Sequence, residues 1–592
     1  MIPDYKKRKP NNSRPSSGTA SYRYRFLALN FVFAVVAVVL MVRAIQLQVV
    51  ESGFLQREGA SRYQRTVTVN AYRGAILDRN GEVLAMSAPV RSVWVNPQKL
   101  QMTIEQASKL ASYLGFDRRV LEKKIRKNAG QTFLYLKRQV PIETARSIEK
   151  LGIAGLELEK AYKRYYPEVD SAAHVVGFTN LDGKGIDGCE MQYDAWLKGQ
   201  PGKKEVIRSA KGGVIENVQF LKTPVSGHDL ELSIDSRLQY VVYESLMKAV
   251  RYHHAKSASA VVLSVPSGEI LAMSNYPSYN PNFRSGSVDA RYRNRAATDE
   301  FEPGSTAKPF AIAAALEQGL ITTNSVISTS PGTLRIGKKT IRDHRNYGNL
   351  DVAGILRHSS NVGASKLALM MPYRDLYDAY VKVGFGQPSG SFFPGEATGN
   401  LDFLQRPHKI EQAALSYGYG LSTTVLQLAR AYLPIANHGR LPQLTLRPGG
   451  SESLQINQVM SATVADQVRG MLEGVIDRKR GGTGSRAAVP GYRVAGKTGT
   501  VHKNSRGQYM EDKYIALFAG MIPASRPRLV MVVMVDRPSA GEYYGGSVAA
   551  PIFSYVMRRA VRILNIPPDA LNGQQREPIL QARSDEPNKV EL

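Results

Sequence analysis

From Phe26 to Val42 the chain reads FLALNFVFAVVAVVLMV, with Asn30 as its one polar residue and no charge. Such a run is restricted to very few structures. In hydrocarbon every backbone N–H and C=O must be satisfied within the segment, which leaves the α-helix. Ala44, Ile45 and Leu47, beyond Arg43, bring it to the roughly 20 residues that cross a bilayer. Arg25 and Arg43 have stems long enough to carry their charges to the two interfaces. A core helix of a soluble protein would show a polar face, and this run has none. A cleaved signal peptide would have a shorter apolar stretch and small residues at the cut, whereas Met41, Val42 and Arg43 follow here. The reading is an uncleaved transmembrane anchor over residues 26–46. Lys6, Lys7, Arg8, Lys9, Arg14, Arg23 and Arg25 precede it, against the single acid Asp4. The positive-inside rule therefore keeps the basic tail, residues 1–25, in the cytoplasm. The remainder is expected in the periplasm, on a single-pass protein of the cytoplasmic (inner) membrane.

That placement bears on the net charge of +28. A basic balance first suggests nucleic acid. No zinc-finger spacing, RNP-like run or basic heptad helix occurs, and outside the tail the charge is spread along the chain. Nucleic acid is set aside as a partner. The anionic surroundings that remain are acidic phospholipid heads or a polymer carrying carboxylates. Hydrophobic residues make up 43% of the 592, enough to build cores for about three to five units. Cys189 is the one cysteine, so no intramolecular disulfide can form. Within Gly185-Ile186-Asp187-Gly188-Cys189-Glu190 it reads as a small packing residue, not a nucleophile.

Residues 47–228 mix short strands and helices. Gly74–Leu77 and Glu82–Ala85 flank Asp78-Arg79-Asn80-Gly81, a hairpin signal in which Asn-Gly supplies positive φ angles. The pattern breaks near Thr223–Gly227, and a second unit, 229–566, begins with a strand at Leu230–Asp235. A hairpin (Ala260–Val265, turn Pro266-Ser267-Gly268, return Glu269–Met273) leads into a largely helical middle, with Ala311–Leu316 and Val425–Leu433 as its best segments. Strands return at Tyr492–Ala495, Tyr514–Ala519 and Leu529–Val535, and a helix from Pro551 to about Leu564 closes the unit. Strands, helices and strands again describe an α+β domain on an antiparallel sheet flanked by helices. Residues 567–592 are polar and expected to be flexible.

A serine nucleophile needs a base, a site for the oxyanion and a proton for the leaving group. Glu302-Pro303-Gly304-Ser305-Thr306-Ala307-Lys308-Pro309-Phe310 provides for this locally. Pro-Gly breaks the preceding structure and the apolar run after Phe310 continues as a helix, so Ser305 falls at a helix start, where free N–H groups favour negative charge. Pro309 is tolerated within the first turn. Lys308, at i+3, shares the face of Ser305 and can serve as base if desolvation keeps its amine neutral. Ser-x-x-Lys alone is weak, since Ser147–Lys150 and Ser245–Lys248 also fit. The third instance is followed by Ser359-Ser360-Asn361 at 359 − 305 = 54 residues and by Lys497-Thr498-Gly499 at a further 497 − 359 = 138. The last lies on a strand, where Gly499 allows a substrate backbone to approach.

These three motifs in this order are the signature of the penicillin-recognising serine enzymes. The chain resembles the class B penicillin-binding proteins, from the anchor to about residue 565. Arg73-Gly74-Ala75-Ile76-Leu77-Asp78-Arg79-Asn80-Gly81, Arg164-Tyr165-Tyr166-Pro167 and Gly185–Glu190 resemble boxes of that family's non-catalytic pedestal, or dimerisation, domain; the family's residue at the Cys189 position is usually larger and apolar. The resemblance implies a transpeptidase (penicillin-binding) domain over 229–566 and a peptidoglycan D,D-transpeptidase. Ser305 would attack the penultimate D-Ala of a stem peptide and Lys308 would take its proton. Ser359 would relay a proton to the departing D-Ala, and Asn361 would hold the substrate amide. Lys497, Thr498 and Thr500 would bind the terminal carboxylate beside Gly499, and the N–H groups of Ser305 and Thr500 would form the oxyanion hole. An amine of a neighbouring stem would then resolve the ester into a crosslink. No metal or cofactor is implied, and the adjacent pair His253-His254 has no ligand spacing around it.

The alternatives differ in what resolves the ester. A β-lactamase would use water, and Glu396-Ala397-Thr398-Gly399-Asn400 matches the Glu-x-x-x-Asn element of one such class. It lies in Phe393-Pro394-Gly395-Glu396, however, which resembles a structural loop of the transpeptidases. A β-lactam sensor would carry a larger cytoplasmic part, and residues 50–225 are too short for a glycosyltransferase ahead of the pedestal. Tyr417-Gly418-Tyr419-Gly420-Leu421-Ser422, the spacing around Ser305 and the short C-terminus resemble the division-specific (FtsI-type) members, with the elongation type as the alternative. The partners so implied are peptidoglycan stem peptides on lipid-linked or nascent strands, β-lactams as covalent inhibitors, the membrane, a SEDS-family glycosyltransferase and other divisome membrane proteins.

Overall fold

The computed structural model describes residues 19–54, 64–208, 214–284, 290–449, 456–505 and 508–570. Helix α1 (Thr19–Ile45) continues as a π-helical turn over Gln46–Val50. Its stretch Arg23–Val50 is long and apolar enough to cross a membrane, and none of it is buried by the rest of the chain. Arg43 donates to Gln46 (2.9 Å) and Gln46 to Glu51 (2.7 Å), a polar chain at one end of the apolar run. The N-terminal tail up to residue 18 lies outside the described residues.

Two larger sheets, with a small two-stranded pair of Phe178–Thr179 and Gly185–Asp187, build the pedestal. Strands β1 (Gln64–Val69), β2 (Ile76–Leu77), β3 (Val83–Val95), β4 (Leu134–Val140), β5 (Leu156–Tyr165), β6 (Gly202–Arg208), β7 (Val214–Lys222) and β8 (Leu230–Glu231) form a three-stranded sheet β1-β6-β7 and a five-stranded one, β8-β2-β3-β4, with β5 also on β3. The Asp78–Gly81 turn forms, but with a positive φ at Gly81 alone and not at Asn80. The Asp78 carboxylate accepts from the N–H groups of Asn80 (2.7 Å) and Glu82 (2.9 Å), and Gly81 sits at φ 84°. The return strand runs on to Val95, well past Ala85, because its inward residues stay buried along the whole length. The three box-like segments converge on one carboxylate. Glu190, fully buried, accepts from Arg73 Nε (2.7 Å) and Arg164 Nε (2.6 Å), while Arg73 also holds Asp194 (2.6 Å). Two cations and two anions balance within this cluster, the condition under which buried charges are tolerated.

Besides the covalent chain, strand pairing, hydrogen bonds and a shared core join the pedestal to the second unit. β8 lies parallel to β2, and Asp78 accepts from both the N–H and the hydroxyl of Ser236 (3.0 and 2.8 Å) at the start of helix α2 (Ser236–Tyr252). One hydrophobic core then runs without interruption from Ile76 and Leu84 through Leu263 to Phe310 and Leu428. Strands β9 (Ser257–Ser264) and β10 (Ile270–Tyr276) open the second sheet, and helix α3 (Lys308–Glu317) follows. The middle is less uniformly helical than its sequence suggests. A small hairpin, β11 (Thr333–Ile336) and β12 (Lys339–Arg342), precedes helices α4 (Val352–His358), α5 (Asn361–Ala368) and α6 (Val425–Ala436). Strands β13 (Ala495–Ser505), β14 (Gln508–Ile522) and β15 (Leu529–Asp536) complete an antiparallel sheet in the order β10-β9-β15-β14-β13, with helix α7 (Gly545–Ile563) packed on it.

Three boundaries move. The strand expected at Tyr492–Ala495 starts at Ala495, so Lys497-Thr498-Gly499 lies inside it on the sheet edge. The closing helix starts six residues before Pro551, which sits in its second turn. The chain stays anchored past Pro567, since Asp569 accepts from the N–H groups of Arg493 (2.7 Å) and Ser525 (3.1 Å); from residue 571 the expected flexible tail lies outside the described residues.

Candidate active site

Ser305 and Lys308 sit where one helical geometry gives way to another. Gly304–Ala307 form a 3-10 turn, and α3 begins at Lys308, with Pro309 in its first turn. Gly304 takes φ 53°, and its N–H donates to the Gly418 carbonyl (3.0 Å). The two backbones touch: a Cβ on Gly418 would lie 2.1 Å from Gly304 O. Tyr432 donates to Thr306 O (2.7 Å) from α6. The turn is thus held from two sides by elements remote in sequence.

Lys308 is fully buried, yet its amine has four polar partners. Nζ lies 2.6 Å from Ser359 O, 2.7 Å from Asn361 Oδ1, 3.0 Å from Ser305 Oγ and 3.2 Å from Ser359 Oγ. A carbonyl and an amide oxygen can only accept. A neutral amine would spend its two hydrogens there and turn its lone pair towards the hydroxyls. Burial drives the Lys308 pKa well below the ordinary lysine value, the neighbouring Lys497 charge drives it further, and Asp343 opposes both.

Ser359 closes α4 in the left-handed region (φ 59°, ψ 39°), unusual for a residue with a Cβ and costing on the order of 1 kcal/mol. That conformation accompanies the contact of its carbonyl with Lys308. α5 starts two residues later, and its first N–H groups find a partner that sequence reading missed. Asp343 accepts from Asn361 N (2.6 Å), Val362 N (3.0 Å) and Ser360 Oγ (2.6 Å), while Ser360 Oγ accepts from Gly363 N (2.9 Å). Asn361 Nδ2 donates to Arg342 O (3.1 Å). The hairpin β11-β12 and the residue after it therefore fix Asn361, which in turn faces Lys308.

On the edge strand β13, Lys497 is fully buried and donates to Ser359 Oγ (3.0 Å) and Thr498 O (3.1 Å). Burial pushes its pKa down to about 7. Ser359 Oγ is thus shared by two amines. Gly499 packs where a Cβ would approach Thr306 Cγ2 to 3.0 Å. Thr498 bonds Thr483 (3.0 Å), and Thr500 Oγ1 accepts from Gly545 N (2.9 Å). Ser305, Ser359, Asn361, Thr498 and Thr500 line a cleft of about 640 Å³ whose far wall holds Arg486, Ser547, Tyr514, Tyr543 and Tyr544. Tyr514 stacks on Tyr543 at 4.1 Å between ring centres. Asp343 and this aromatic wall carry no local motif; Tyr543-Tyr544 ahead of Gly545-Gly546 was the one visible hint.

All eight expected residues therefore meet at one place. The other two Ser-x-x-Lys pairs do not. Ser245 Oγ donates to Val242 O and Lys248 to Glu244, whereas Ser147 Oγ donates to Glu143 O. Cys189 is buried, and burial raises its thiol pKa far above the reactive range, as suits a packing residue. Glu396 does not line the cleft. Its two oxygens accept from Ser389 N (2.9 Å) and Ser391 Oγ (2.8 Å) in its own loop.

Residues 258–558 match the penicillin-binding protein transpeptidase domain, and residues 68–232 match the penicillin-binding protein dimerisation domain. The chain is 41% identical to a probable peptidoglycan D,D-transpeptidase, PbpC, of Pseudomonas aeruginosa, over 93% of this chain and 96% of that one. It is 40% identical to the peptidoglycan D,D-transpeptidase FtsI of Escherichia coli K12, over 96% of each. Among solved structures, penicillin-binding protein 3 of Mycobacterium tuberculosis with aztreonam aligns with a TM-score of 0.65 at 29% identity, covering 85% of this chain and 98% of that one. With both domains matched and such likeness over nearly its whole length, the chain belongs to the penicillin-binding proteins of the class B D,D-transpeptidase type.

Proposed function

We propose that the protein crosslinks peptidoglycan stem peptides through an acyl-enzyme on Ser305. The observation that carries this is the buried Lys308 amine, 3.0 Å from Ser305 Oγ, with two obligate acceptors occupying its hydrogens. Ser305 Oγ bonds to the carbonyl carbon of the penultimate D-Ala as its proton passes to Lys308. The oxyanion is held by the N–H groups of Ser305 and Thr500. The C–N bond to the terminal D-Ala then breaks, and the proton returns from Lys308 through Ser359 to the departing amine. Lys497, with Thr498 and Thr500, receives the terminal carboxylate, and Asn361 holds the substrate amide. An amine of a second stem attacks the ester, loses its proton along the same relay, and frees Ser305. Lys497 at Ser359 Oγ also keeps that hydroxyl aimed at the relay and favours the neutral form of Lys308.

The run Tyr417–Ser422 and the likeness to FtsI favour septal wall synthesis during division, with a SEDS-family glycosyltransferase and other divisome membrane proteins as partners. The seven basic residues before the apolar run that starts at Phe26 favour a cytoplasmic N-terminus and a periplasmic catalytic domain. The test is adduct mapping. After labelling with benzylpenicillin and digestion, mass spectrometry is expected to place the acyl group on Ser305 alone; an adduct on Ser245, Ser147 or Cys189 would reject the assignment.

A further inference from the structure

Beside the cleft stands a surface that the proposed chemistry does not use. The hairpin β11-β12 turns at Gly337-Lys338, with Gly337 at φ 56°, and its cross-strand register pairs Thr333 with Arg342 and Arg335 with Thr340. Cross-strand partners share a face of the ribbon. One face therefore presents Thr333, Arg335, Thr340 and Arg342. The other holds Leu334, Ile336, Lys339 and Ile341, of which Ile341 is buried and Lys339, at the turn end, is exposed. Arg335, Lys338, Lys339, Arg342 and, just beyond, Arg345 are all exposed.

None of the five pairs with a carboxylate among the described residues. The ion pairs near this end of the cleft belong to Arg357 with Asp351 and Arg486 with Glu542. From Gly332 to Arg345 the one acid is Asp343, and its oxygens are taken by Ser360, Asn361 and Val362. Arg335 and Arg342 are diagonal neighbours on one face, within reach of each other for side chains of this length. A two-stranded ribbon is marginal to begin with. Such a concentration costs stability unless an anion covers it.

The ribbon is also tied to the reacting centre. Arg342 O accepts from Asn361 Nδ2 (3.1 Å), Asn361 Oδ1 faces Lys308 (2.7 Å), and Lys308 reaches Ser305 (3.0 Å). His344 and Tyr347, which follow β12, line the cleft itself. The cationic ribbon is thus followed in the chain by residues of the Ser305 cleft.

We propose that this ribbon is a docking arm for the carboxylates of a polymeric substrate strand, so that stems neighbouring the reacting one hold the strand across the cleft. The proposal rests on the crosslinking function above and assigns a determinant of polymer over short peptide. The arm acts at long range and in water, so its contribution falls as salt rises, with a screening length of about 10 Å at 0.1 M.

The test uses the full-length protein in detergent and the triple variant Arg335→Gln/Lys338→Gln/Lys339→Gln, which leaves Arg342 and its carbonyl in place. The probes are uncrosslinked glycan strands with pentapeptide stems, the same strands amidated at every carboxylate except that of the terminal D-Ala, and anionic phospholipid vesicles. Labelling of Ser305 by benzylpenicillin, a molecule too small to span from the cleft to the ribbon, reports the fold of each protein. At low salt the wild type is expected to bind native strands about tenfold more tightly than the variant, the sum of three modest exposed-charge contributions. Amidation should weaken the wild type by a similar factor and the variant much less, with penicillin labelling the same in both. Equal binding of native strands by both proteins, or a wild type indifferent to amidation, would overturn the proposal. So would a loss confined to vesicles, which would make the ribbon a membrane contact. If penicillin labelled neither protein while the strand preference persisted, the transpeptidase reading would fail and the arm would stand.

Discussion

Lys308→Met removes the amine at the centre of the site while keeping most of the volume of the side chain. In the native protein Nζ donates to Ser359 O at 2.6 Å and Asn361 Oδ1 at 2.7 Å. Losing that donor strands two part-buried acceptors, at about 1 kcal/mol or somewhat more each. Relief from burying the amine offsets part of this, so the net loss of stability is expected at about 1–3 kcal/mol. The catalytic loss is larger. A missing general base costs about 10²–10⁴-fold, and more where base and nucleophile act as a unit. The pH dependence separates a base from a strut. Lys308 works as the neutral amine, so acylation falls as pH drops through its folded pKa, which burial and Lys497 hold well below the ordinary value. The wild-type rate should therefore be level through the mildly alkaline range, where an unperturbed lysine would still be gaining activity. Stopped-flow labelling of Ser305 by a fluorescent penicillin, read with a thermal melt, measures both effects. Near-normal acylation in a folded Lys308→Met protein would refute the reasoning and place the base elsewhere.

Glu396→Ala tests the hydrolytic alternative. Its carboxylate accepts two hydrogen bonds within its loop and lies near Arg430, so the variant should lose about 2–4 kcal/mol in the melt. The lifetime of the penicillin adduct should not change, and a marked lengthening would indicate that Glu396 serves water. Lys497→Met probes the second amine. A lysine whose folded pKa lies near 7 instead of 10.5 binds fewer protons folded than unfolded between those values. It therefore contributes stability that rises with pH across that window, by at most about 1.4 kcal/mol per unit. Stability curves at pH 7 and pH 10 should show a smaller rise in the variant than in the wild type; parallel curves would mean that Lys497 is charged when folded.

How much of this was legible in the residues divides along physical lines. Ser305 and Lys308 are neighbours within one helical turn, so their relation follows from local geometry. The motifs at Ser359 and Lys497 were legible as types in a fixed order, although nothing local says that both amines share Ser359 Oγ; that depends on the sheet edge meeting the end of α4. Asp343 was invisible because its partners lie 17 to 19 residues on, beyond any helical or turn period. The ribbon β11-β12 was absorbed into a helical middle, since two strands of four residues give too short an alternation to stand out. Pro551 was read as a helix start because proline favours the first turn, and Gly545-Gly546 concealed the actual one, packed so closely that a Cβ on Gly545 would lie 2.2 Å from Gly499 O. The Glu396 loop matched a hydrolase element by spacing alone, and its hydrogen bonds place that carboxylate in a structural role.

The central claim is that the Ser305 ester is resolved by an amine. Pentapeptide-bearing strands should be incubated with the full-length protein and a labelled amine acceptor, and the products separated by mass. The account predicts amide-linked dimers that accumulate with the acceptor, with one D-Ala released for each link, and none of either from Ser305→Ala. Release of D-Ala with tetrapeptide as the sole product, unaffected by the acceptor, would contradict it and make the protein a hydrolase.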